Sequence, residues 1–159
     1  MIQVTVITVG TLKEGYWRDA MAEYEKRLCA FCKPQILQLK EARLGDDPTK
    51  GEIDAALSEE GKRILASVPP RAYKIALCVE GKQFSSEELA QKIEAATAES
   101  SSMTLIIGSS FGLAPEVKAS CDLRLSVSKL TFPHQLMRVL LLEVLYRSFS
   151  IIKGTRYHK

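Results

Sequence analysis

Five short apolar runs, each followed by a turn or a stretch with helical spacing, constrain this chain more than any other feature. Ile2–Val9 is rich in β-branched residues and stops at Gly10. Trp17, Ala20, Met21, Tyr24 and Leu28 then recur every three or four residues, which predicts an amphipathic helix from about Glu14 to Leu28. Ile36–Leu39 is a second strand after Pro34. Asp46-Asp47-Pro48 reads as a helix start, Ile53, Leu57, Ile64 and Leu65 supply the next stripe, and Pro69-Pro70 ends it. Tyr73–Val79 is nearly all apolar, as a strand covered on both faces should be. Gly81-Lys82 is expected to turn the chain. Ser85 and Glu88 have capping-box spacing, which predicts a helix running to about Glu99. Met103–Ile107 is a fourth strand ending at Gly108, Pro115 opens a short helix, and Leu123–Val127 is a fifth strand. A long helix starts near Pro133 and runs to about Ile152.

Strands alternating with helices predict an α/β fold, with a mostly parallel sheet flanked by helices. The 159 residues suit one domain, 1–159, and carry no linker, repeat or low-complexity segment. The final helix is apolar almost all round: Leu136, Val139–Leu142, Val144, Leu145, Tyr146 and Phe149. A helix of that kind must be covered on most sides, and a second copy of the chain is a natural cover. No apolar run approaches the ~20 residues of a membrane helix. The opening Met1-Ile2-Gln3-Val4 lacks the basic start and apolar stretch of a secretory signal, so a cytoplasmic protein without membrane association is expected.

The charge is unevenly spread. From Arg124 onward there are seven Lys/Arg and one acid, Glu143, whereas the preceding residues carry fifteen bases and eighteen acids. A basic end on a mildly acidic body suits an anionic partner, although a solvated basic face has the same composition. Cys29 and Cys32 form a Cys-x-x-Cys pair, but at the end of a predicted helix rather than its start, where the dipole would favour thiolate. No second pair or nearby His completes a zinc site. Reduced, structural cysteines and no metal are expected.

In open α/β sheets ligands bind beyond the carboxyl ends of the strands. Three segments qualify: Glu80-Gly81-Lys82, Gly108–Gly112, and Ser126–Phe132 leading to Pro133-His134. Glycine permits close backbone approach, and small hydroxyl residues leave backbone groups free for a polar ligand. None matches a dinucleotide fingerprint or a P-loop. Turns of this kind are also common without a ligand. Both histidines, His134 and His158, lie in the basic end, with Lys129, Arg138, Arg156, Tyr157 and Lys159. His134 can equally be a structural residue at a helix start, and Tyr157-His158-Lys159 a solubilising tail.

The run Leu125-Ser126-Val127-Ser128-Lys129-Leu130-Thr131-Phe132-Pro133-His134-Gln135 resembles the signature of the RlmH family of SPOUT methyltransferases. So do Arg138, Leu142-Glu143, Leu145-Tyr146-Arg147 and the ending Tyr157-His158-Lys159. The likeness extends along the chain, through Val9-Gly10, Lys13, Tyr24–Arg27, Gly81-Lys82, Ser86-Glu87, Ala90 and Ile107-Gly108. It implies methylation of N3 of a pseudouridine in a 23S ribosomal RNA stem-loop of the large subunit, with the assembled ribosome as substrate. It also implies a SPOUT-type fold with a C-terminal trefoil knot, and a homodimer packed through the final helix. The implied cofactor is S-adenosylmethionine, held by Leu77, Gly108, Val127, Ser128, Lys129, Leu130, Thr131 and Phe132. His158 and His134 are the candidates for proton transfer, His158 preferred and reaching into a partner's pocket. Arg138 and Tyr157 assist catalysis, and Arg156 and Lys159 hold RNA. Four positions depart from the family's habit: Ser109 for Gly, Phe111 for an acid or amide, Cys78 for Asp, and Val144 for Gln.

Overall fold

The computed structural model describes residues 1–158. Five strands form one sheet in the order β2-β1-β4-β3-β5, and every pairing is parallel. The strands are β1 (Gln3–Val9), β2 (Lys33–Leu39), β3 (Tyr73–Lys82), β4 (Ser102–Ile107) and β5 (Leu123–Leu125). The helices are α1 (Gly15–Leu28), α2 (Lys50–Ser67), α3 (Ser86–Glu99), α4 (Pro115–Ser120) and α5 (His134–Ile152).

Alternation along the central strands divides the core into two. Val4, Val6, Ile75, Met103 and Leu105 pack with Met21 of α1, Ile93 of α3 and Leu141, Leu142 and Leu145 of α5. Ile7, Val9, Ala76 and Ile106 point the other way, against Ile64 of α2 and Val117 of α4. Side chains of a strand alternate between faces, so one strand serves both layers. This is a three-layer α/β/α arrangement.

Three details differ from the sequence expectation. The cap of α2 is Thr49, in a reciprocal capping box with Glu52, rather than Asp46-Asp47-Pro48. β3 continues as strand through Gly81 and Lys82 instead of turning there. β5 stops at Leu125, two residues early. The final helix α5 packs on α1 and α3 on one face of the sheet, and its Leu136, Val139, Leu140, Val144 and Tyr146 are only partly buried. None of its side chains is among the exposed large hydrophobics.

The extension of β3 has a local cause. Leu77 and Lys82 both take Leu125 as their register partner, so the intervening residues bulge out of the ladder. A Cβ on Gly81 would lie 2.6 Å from the Leu125 carbonyl carbon and 2.7 Å from the Ser126 nitrogen. Only a glycine lets the two backbones cross this closely, and the Ser126 N–H donates to Lys82 O at 3.0 Å beside it.

Candidate active site

The bulge in β3 and the short β5 open a cavity of about 500 Å³ at the carboxyl ends of β3, β4 and β5. Its walls are three turns. Leu77–Glu80 come from the bulge, Gly108–Leu113 follow β4, and Ser126–Ser128 with Leu130–His134 lead from β5 into α5. The second turn is tight. Gly112 N–H donates to Ser109 O at 2.9 Å, and Gly112 has φ +92°. A Cβ on Gly108 would meet Gly112 O at 2.1 Å, so that position also requires glycine. In the third turn Ser126 Oγ donates to Ser128 O at 3.0 Å, and Leu130 N–H donates to Ser128 Oγ at 3.0 Å. Local hydroxyls thus shape the segment without a helix or a ladder.

Of the eight positions expected to hold a cofactor, Leu77, Gly108, Val127, Ser128, Leu130, Thr131 and Phe132 line this cavity, and exposed Lys129 does not. Lys118 of α4, ion-paired to Glu80, and Met137 of α5 also line it. Neither was expected, because nothing in the local sequence of α4 or α5 marks them. Beneath the second turn Glu60 of α2 is buried, and burial raises its carboxyl above the usual range.

The candidate catalytic residues fall into two groups. His134 opens α5 and lines the cavity. Burial and then the Arg138 charge lower its pKa below 6.5, only partly offset by Glu41. Arg138 is fully buried. One of its terminal nitrogens donates to Val9 O at 2.8 Å and Gly10 O at 3.1 Å, tying α5 to the end of β1. It does not line the cavity, and its Nε and Nη1 are buried without a hydrogen-bond partner among the described residues.

Tyr157 and His158 lie elsewhere and do not line the cavity of their own chain. Tyr157 Oη donates to Glu143 Oε2 at 2.8 Å, and its ring sits 4.8 Å from the Arg147 guanidinium. His158 Nε2 is 2.8 Å from Glu87 Oε1, and its Nδ1 is 3.3 Å from Arg147 Nη1. Arg147 pairs with Glu143 at 2.6 Å. Arg156 is exposed, and Lys159 lies outside the described residues. The tail is therefore seated on α3 and α5 of the same chain.

The thiols offer no redox site. Cys29 is exposed, while Cys32 is buried with its pKa pushed up to about 12, first by that burial and then by Cys29. Among the described residues no group of three His, Cys, Asp or Glu side chains could hold a metal. No helix there is long and apolar enough to cross a membrane.

The family model described as "Predicted SPOUT methyltransferase" matches residues 2–158. The Ribosomal RNA large subunit methyltransferase H of Streptococcus thermophilus (strain CNRZ 1066) is 48% identical over 159 residues, covering 99% of this chain and 100% of its own length. The chain belongs to the RlmH family of SPOUT methyltransferases. The methyltransferase of the same name from Leuconostoc mesenteroides subsp. mesenteroides is 43% identical over the same coverage. A probable methylase family protein from Haemophilus influenzae Rd KW20 shares the fold alone, with TM-score 0.53 and 13% identity, covering 99% of this chain and 70% of that one. In this SPOUT chain, the family signature around Pro133 and the glycine turn after β4 are two walls of one cavity.

Proposed function

We propose that this chain binds S-adenosylmethionine in the cavity beyond β3, β4 and β5 and methylates N3 of a pseudouridine in 23S ribosomal RNA of the large subunit, in the cytoplasm and on the assembled ribosome. The observation that carries the reading is the convergence of the three turns on one cavity. Its volume falls within the range typical of small-molecule sites, roughly 300–1,000 Å³. Its walls mix apolar side chains with turn backbone outside the sheet ladder, which suits a ligand with one adenine and one amino-acid end. Leu77, Gly108, Val127, Ser128, Leu130, Thr131 and Phe132 would hold it. When bound, the cofactor supplies an electrophilic sulfonium methyl.

The residues of the chain have two tasks, orientation and proton removal. Orienting two reactants can supply roughly 7–11 kcal/mol. An imide nitrogen is a poor nucleophile until its proton leaves. His134 lines the cavity and is kept neutral by burial beside Arg138, so its free ring nitrogen can accept that proton. This favours His134 over His158 within one chain. Tyr157, His158, Arg156 and Lys159 would serve as the RNA-facing tail of a second copy, in a homodimer packed through α5. A trefoil knot and a single functional domain belong to the same reading.

Two measurements test the proposal. Calorimetric titration with S-adenosylmethionine should show one site per chain. Ribosomes from cells lacking the gene should then accept labelled methyl at one pseudouridine. Binding without transfer to ribosomes would indicate a nucleotide-binding module rather than this enzyme.

A further inference from the structure

We propose that Phe111 is the stacking platform that holds the acceptor base of the RNA over the cavity. This rests on the function proposed above and adds a substrate-positioning residue to it.

Three large apolar side chains that the fold leaves exposed line the same cavity: Val79 at 69%, Phe111 at 47% and Leu130 at 71%. The other exposed large hydrophobics among the described residues, Met1, Tyr16, Leu65 and Tyr157, do not. Apolar side chains exposed singly are ordinary, whereas several gathered at one site mark a surface that binds. The ring of Phe111 is also presented on a stiff support. Ser109 and Gly112 pair across the turn, which leaves Ser110 and Phe111 as its two central, exposed residues. Gly108 roots that turn against Gly112 with no room for a side chain.

The chemistry of the reaction places the acceptor at this rim. With the donor inside the cavity, the base must present N3 from outside, and it must first leave its own stack. Unpaired RNA bases are held by stacking on aromatic rings, which is tolerant of sequence and needs only a π-face. Val79 and Leu130 supply further apolar surface for the base. Lys129, adjoining Leu130, is exposed and has no ion pair among the described residues, so it is available to a neighbouring phosphate. A second protein chain would need only apolar volume at position 111, and the donor's adenine, which could also stack, is separated by its own dissociation constant. A base needs the ring.

That difference sets the experiment. Full-length wild type, Phe111→Leu and Phe111→Trp are compared on assembled ribosomes from cells lacking the gene, with a labelled methyl donor. Phe111→Leu should lower kcat/KM for the ribosomes by about five- to 150-fold, the range for losing one base–aromatic stack. Phe111→Trp should retain wild-type kcat/KM. The donor dissociation constant and the sedimentation coefficient should be unchanged in both variants. Wild-type kcat/KM in Phe111→Leu overturns the stacking role. So does a parallel weakening of donor binding, which would place the ring on the donor, or a shift in sedimentation, which would place it in a subunit contact. A wild-type protein that transfers no methyl to these ribosomes overturns the functional reading itself.

Discussion

One half of the sheet is regular and the other is not. Between β1 and β2 the register runs unbroken from Gln3↔Lys33 to Val9↔Leu39, and between β1 and β4 from Gln3↔Ser102 to Thr8↔Ile107. Between β3 and β5 it slips, so that Leu125 partners both Leu77 and Lys82. The regular half uses its backbone groups on itself. The slipped half releases backbone groups from the ladder and makes room, and there the cavity forms. A ligand site needs unspent hydrogen-bonding groups and space, and both come from interrupting the ladder. Changes in the two halves should therefore separate: function suffers in the slipped half, and stability alone in the regular half.

The largest expected effect tests the chemistry of the slipped half. His134→Ala should lower methyl-transfer kcat by about 10²–10⁴-fold, with the donor dissociation constant changing far less. Unchanged kcat would move proton transfer out of this half. The pH profile sharpens the point. The neutral imidazole is the acceptor and exists above the His134 pKa, which burial and Arg138 hold below 6.5. Activity should thus be lost as pH falls, with the acid-limb midpoint of kcat/KM below 6.5.

Next comes a core truncation in the regular half. Ile7 is wholly buried, and Ile7→Ala should cost about 2–5 kcal/mol. At this chain length each kcal/mol lowers Tm by about 2–4 °C. Donor affinity of the folded protein should stay at the wild-type value, and a loss would break the separation. Gly108→Ala should cost less stability, about 1–3 kcal/mol, yet abolish donor binding, because its Cβ would force Gly112 O away from 2.1 Å. A variant that melts and binds donor normally would contradict the tight turn. The smallest effect belongs to Thr49→Ala, which removes an exposed cap of α2 for about 1 kcal/mol and should leave methyl transfer untouched.

The sequence by itself determined the order and type of every element. These depend on spacings of two to four residues, which are visible in any window. It also contained both capping boxes, although the Thr49–Glu52 pair is masked by the stronger-looking Asp46-Asp47-Pro48 just before it. The glycine and hydroxyl turns of the site were legible in the same way, as segments unable to continue a strand. Tertiary structure alone decided the strand order, the crossing of Gly81 with Leu125 and Ser126, the burial of Arg138 against β1, and the seating of Tyr157 and His158 on α3 and α5. It also brought Lys118 and Met137 to the cavity. The physical reason is common to all of them. Each is fixed by contacts between residues far apart along the chain, whose energies depend on how layers pack, and no local pattern records which distant backbone will arrive.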